Sequence, residues 1–131
     1  MRILLLRAGE TGWQAFVGSG SEFTVWRSSS QEAAPLLAKI YRETKPQAVG
    51  VIIEEGCTWS RRRAAVTVAN TLSFSWGARL FQLQPVVGEK PVAAWARAAV
   101  AAETAAVGHK LKPEYDGEPN ITKPKSSSVE L

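Results

Sequence analysis

The stretch from Glu54 to Phe81, EEGCTWSRRRAAVTVANTLSFSWGARLF, constrains the rest of the chain most. It opens as a loop carrying Gly56 and Cys57, and Arg61–Arg63 then start a helix of roughly residues 60–76. Ala65, Ala69, Leu72 and Trp76 recur at helical spacing and share one face, with Val66, Asn70 and Phe74 on the face beside it. Gly77 supplies a C-terminal stop, and Arg79–Leu83 reads as a short strand. A helix with apolar groups on two faces must be covered twice. One cover is the chain's own sheet, and the other is more chain or a partner.

The segments around it fix the element order. Arg2–Leu6 is an unbroken aliphatic run suited to a central strand buried on both faces. Trp13–Val17 and Glu22–Arg27 follow across short glycine turns, giving an antiparallel meander. Ser28–Ser30 can cap a helix over roughly residues 30–43, with Ala33, Leu36, Leu37, Ile40 and Tyr41 as its apolar stripe. Ala48–Ile53 is a second buried strand, so the intervening helix predicts a parallel crossover. The next helix and strand repeat that unit. Pro91 begins a third, alanine-rich helix anchored by Trp95. The predicted fold is α/β, with order β-β-β-α-β-α-β and a mixed five-stranded sheet, over a domain of residues 1–107. Residues 108–131, rich in Pro, Gly, Lys, Glu and Ser, read as an extended tail.

A chain of 131 residues holds one domain, and 45% apolar with 21% charged residues is globular composition. The net charge of +4 is uneven: residues 1–87 carry ten Lys/Arg against six Asp/Glu, and residues 88–131 six of each. A single cysteine allows no internal disulfide, Met1–Leu6 is too short for a signal-peptide core, and no run reaches the ~20 apolar residues of a membrane span. A cytoplasmic protein without a membrane segment is the expectation.

Catalytic chemistry finds few residues. His109, the only histidine, cannot build a metal site alone. Cys57 lies near arginines and a helix start, which would lower its pKa, but no histidine is close in sequence to act as its base. Glu54 and Glu55 end a strand with side chains on opposite faces, so they form no acid/base pair. No metal, cofactor or catalytic residue is expected. Arg61, Arg62 and Arg63 oppose the macrodipole of the helix they open. That misplacement marks them as candidate partner or RNA contacts.

The segment also carries a resemblance. From Glu55 to Gly77 the chain reads EGCTWSRRRAAVTVANTLSFSWG, similar without gaps to the GPGSFTGLRIGVATANALAFALG segment of the TsaB (YeaZ) family. Arg63, Val66, Ala69-Asn70, Leu72, Phe74 and Gly77 coincide. Thr58-Trp59-Ser60 stands where the family has Ser-Phe-Thr, and Ser30-Gln-Glu-Ala-Ala-Pro35 looks like its Ser-x-x-Leu-Leu-Pro. The first strand departs from the pattern, ending Arg7-Ala-Gly-Glu10 where the family has Asp-Thr-Ser. Most of the loop glycines are replaced, and no second half domain follows.

The resemblance implies a ribonuclease-H/actin-like half domain and a shortened, divergent, non-catalytic subunit. Its implied role is to bind and activate the catalytic subunit TsaD in tRNA threonylcarbamoyladenosine synthesis, through the first two helices. Leu36, Ile40, Arg62, Val66, Asn70 and Phe74 are then the candidate contacts, with Tyr115 and Ile121 as anchors in a tail that folds on binding. A homodimer through the same helices is permitted, and a TsaE-like ATPase and tRNA belong to the implied assembly. Two other classes stay open: a small basic RNA-binding module, and a ribonuclease-H-like enzyme, which would need clustered carboxylates at strand ends.

Overall fold

The computed structural model describes residues 1–28, 40, 45–108 and 111. Strands β1 (Arg2–Ala8), β2 (Trp13–Ser19) and β3 (Glu22–Ser28) form the meander, followed by β4 (Ala48–Ile53), helix α1 (Trp59–Trp76), β5 (Arg79–Leu83), helix α2 (Pro91–Thr104) and β6 (Ala106–Val107). The sheet order is β3-β2-β1-β4-β5-β6. β1 runs antiparallel to β2 and parallel to β4, β5 runs parallel to β4, and β6 returns antiparallel on β5. Six strands replace the expected five, because Ala106 and Val107, one residue beyond α2, pair with Leu80 and Arg79. The predicted helix over 30–43 lies outside the described residues apart from Ile40, which is helical.

Alternation along the central strands builds two cores. Leu4, Leu6, Val49, Val51 and Leu80 face one side, where Ala65, Val66, Ala69 and Leu72 of α1 and Ile40 pack on them. Ile3, Leu5, Phe16, Ala48, Ile52 and Phe81 face the other, under Ala94, Trp95, Ala98 and Ala102 of α2. Trp95 is fixed further by its indole N–H, which donates to Gly20 O at 2.8 Å, and by stacking on Phe23. Helix α1 is bounded by local chemistry. Thr58 Oγ1 accepts from Arg61 N, and Gly77 ends the helix at φ +61°, a left-handed conformation that only glycine adopts without strain.

The packing corrects the expected partner surface. Val66 and Ile40 are core residues of this chain, buried between α1 and the sheet, and are not exposed for docking. Asn70 is half-buried and already engaged: Nδ2 donates to Leu111 O at 3.1 Å and Oδ1 accepts from Leu111 N at 2.9 Å. The backbone N–H and C=O of Leu111, 41 residues onward, therefore occupy this side chain. Phe74 alone of that face points outward, 89% exposed. Leu36, Tyr115, Ile121 and His109 lie outside the described residues.

Candidate functional site

The carboxyl ends of β1 and β4 meet the turn that follows β1 and the loop that precedes α2. There they enclose a cleft of about 540 Å³ lined by Arg7, Thr11, Gln14, Arg27, Glu54 and Glu89, among others. In open α/β sheets this crevice outside the strand ends is the usual ligand site. Arg7, the next-to-last residue of β1, is only 13% exposed at its side chain. Its Nε donates to Glu54 Oε2 at 2.7 Å and its Nη2 to Glu89 O at 3.3 Å. Register explains the first pair: Ala8 stands opposite Ile53, which brings Glu54 beside the end of β1.

Glu89 is held in turn by Arg97 of α2, whose Nε and Nη2 each donate to one carboxylate oxygen at 2.7 Å. This forked geometry is the strong form of a carboxylate–guanidinium pair. The Arg97 hydrogen bond keeps the Glu89 carboxyl below the ordinary glutamate range. The pair's contribution is therefore complete above the unfolded-state pKa of about 4.3 and is lost as pH falls through the lower folded value. With Arg97 one-third exposed, the contribution is about 1 kcal/mol. Glu89→Gln is expected to remove that acid-side dependence and lower neutral-pH stability by about as much, read from denaturation midpoints between pH 3 and 7. A variant keeping the full acid-side slope would place the dependence on another carboxylate.

The arginines that open α1 fold back onto the chain. Arg61, 2% exposed, donates from Nη1 to Gly9 O at 2.7 Å and to Glu10 O at 2.8 Å, clamping the turn after β1. Arg62, 7% exposed, donates from Nε to Cys57 O at 3.3 Å. Both are structural, which corrects their candidacy as RNA contacts and that of Arg62 as a partner contact. Arg63 is the exposed member of the three. Burial raises the pKa of the Cys57 thiol, and the lowering by Arg61 and Arg62 does not cancel it. A buried, protonated thiol is a poor nucleophile.

The site that results holds two ion pairs, bridged by the Arg7 contact to Glu89 O. Glu54 is paired with Arg7, and Glu89 with Arg97. Among the described residues no three His, Cys, Asp or Glu side chains gather as a cation site. Sequence reasoning found Arg7 and Glu54 but not their pairing, and it missed Glu89 and Arg97 altogether. No local signal marked Glu89 and Arg97, which pair across a loop and a helix start.

A three-stranded meander joined to two parallel strands in the order 3-2-1-4-5, with helices on both faces, is the ribonuclease-H/actin-like half domain. No family model matches the chain, and no curated protein does. Among solved structures it is similar to YeaZ from Pseudomonas aeruginosa, with a TM-score of 0.53 and 14% identity over 64% of this chain and 45% of that one. A second structure from Pseudomonas aeruginosa, described as an uncharacterized protein with similarity to peptidase YeaZ, matches with a TM-score of 0.52 and 14% identity. That match covers 63% of this chain and 43% of the other. The chain spans less than half the length of these YeaZ structures, and the likeness is one of fold. No described helix is long and apolar enough to cross a membrane.

Proposed function

We infer that this chain is a non-catalytic, partner-binding subunit of the TsaB kind, which docks a TsaD-like catalytic subunit through the outward face of α1. The observation that carries this is Phe74, a large ring 89% exposed on the helix whose segment resembles the family. Arg63, Thr67 and Thr71 are exposed on the same face at helical spacing. The docking surface is thus an apolar anchor at the C-terminal end of α1, a polar middle and a cation near its start. The fold likeness to YeaZ supports the reading. So does the strand end, where Arg7 stands in ion pair with Glu54 rather than a free carboxylate.

Burying Phe74 contributes about 2 kcal/mol on docking. Phe74→Glu is expected to weaken capture of the TsaD-like subunit by about thirtyfold or more, while folding stability moves by less than about 0.5 kcal/mol. Titration calorimetry with the purified partner, beside a thermal melt of the variant, measures both. Undiminished affinity in a folded Phe74→Glu protein would remove the proposed surface.

A further inference from the structure

The strip of α1 that would meet a partner is already touched by this chain. Asn70 lies between Arg63 and Phe74, seven residues after the one and four before the other. The three side chains therefore fall within about 40° of one another round the helix. Arg63 and Phe74 are exposed and Asn70 is half-buried. Both groups of the Asn70 amide are engaged by a single residue: Nδ2 donates to Leu111 O at 3.1 Å, and Oδ1 accepts from Leu111 N at 2.9 Å. Leu111 is itself half-buried and packs against the core beneath α1. Strand β6 ends at Val107 on the edge of β5, and four residues later the chain stands on α1.

Position decides what this contact does. Asn70 and Phe74 are one turn apart, about 6 Å along the axis, and Arg63 is about 10 Å in the other direction. A docking helix is about 10–12 Å across, so one seated on both Phe74 and Arg63 meets the backbone held at Asn70. The clamp and such a partner exclude one another. The clamp is also weak enough to open. Two hydrogen bonds between neutral amides and one half-buried leucine hold it. Each such bond contributes little net, because water takes its place on opening. Val66, one turn before Asn70 and 2% exposed, has no comparable freedom, since the sheet covers it.

We propose that the segment carrying Leu111 is an intramolecular competitor for the docking strip of α1: the Asn70–Leu111 clamp closes the strip, and opens when a TsaD-like subunit seats. The inference rests on the docking reading above and supplies its regulation. Apparent affinity is then reduced by the fraction of chains whose clamp is open. Bonds of this strength leave about one chain in ten open, so releasing the clamp raises affinity about tenfold.

Calorimetric titration of the full chain with the purified TsaD-like subunit tests it. Leu111→Pro removes the N–H that Asn70 Oδ1 accepts, and is expected to raise affinity about tenfold. Asn70→Ala, which removes both bonds, is expected to give no further rise when added to Leu111→Pro, because the two changes open one clamp. Hydrogen exchange gives a second readout: the Leu111 amide is expected to be protected in the free chain and to lose that protection when the subunit binds. Three results overturn the competition and leave the docking reading standing: wild type and Leu111→Pro captured equally well, gains from the two substitutions that multiply, or a Leu111 amide still protected in the complex. Capture of neither wild type nor Leu111→Pro overturns both.

Discussion

Replacing Arg61 by alanine is expected to lower the stability of the domain by about 2–4 kcal/mol. The guanidinium is buried and joins the first turn of α1 to two consecutive carbonyls after β1, Gly9 O and Glu10 O. Hydrogen bonds to charged groups contribute about 1.5–3 kcal/mol, and a buried carbonyl left without its donor adds a desolvation cost. The turn's own closure, Gly9 N donating to Gly12 O at 2.9 Å, survives the change but ties the turn only to itself. Arg61→Lys should recover part of the loss, since an ammonium also donates but lacks the planar fork. Guanidinium denaturation of the three proteins, with unchanged slopes, is the measurement. A loss under about 1 kcal/mol for alanine would mean that water takes over both carbonyls and the clamp is not structural.

Most strands were legible because each follows a pattern that backbone geometry enforces. The aliphatic run at Arg2–Leu6 reads as a strand buried on both faces, and Ile3, Leu4, Leu5 and Leu6 are buried. Thr58 and Gly77 bound α1 by capping chemistry that acts within a few residues. β6 was not legible. Ala106–Val107 follows an alanine-rich helix and continues its composition, so no local preference marks a return strand. Its pairing with Arg79 and Leu80 is a tertiary contact.

The two apolar faces of α1 show where local pattern stops. Val66 and Phe74 lie eight residues apart, about 80° round the helix, and only the sheet's position decides which is covered. Val66 falls on the covered side with Ala65, Ala69 and Leu72, while Phe74 falls near the helix end and outside it. Asn70 is decided by Leu111, too remote in sequence for any helical period to report. The cleft follows the same rule. Arg7 and Glu54 become neighbours only when β1 and β4 are set in parallel register. Glu89 and Arg97 are eight residues apart across a loop and a helix start, not at a spacing that pairs charges within one helix.

Gly50→Ala is the second change expected to have a large effect, about 2–3 kcal/mol of destabilisation. Gly50 lies in the buried strand β4 directly opposite Phe81 on β5. A Cβ built there would stand 2.2 Å from Phe81 Cε2 and 2.3 Å from Cζ, so the ring occupies the space a side chain would need. Phe81 is itself 8% exposed and belongs to the core beneath Ala94, Trp95 and Ala98 of α2. The methyl group must therefore drive the ring toward the helix that covers it, and a close-packed interior resists such a shift. Phe81→Ala alone should also destabilise by about 3–5 kcal/mol, by leaving a cavity. Combined with Gly50→Ala it should cost less than the sum, with a favourable coupling of about 1 kcal/mol or more, because each change relieves the other. Strict additivity in that double-mutant cycle would show that the ring does not lean on Gly50, and that the absent side chain serves some purpose other than admitting it.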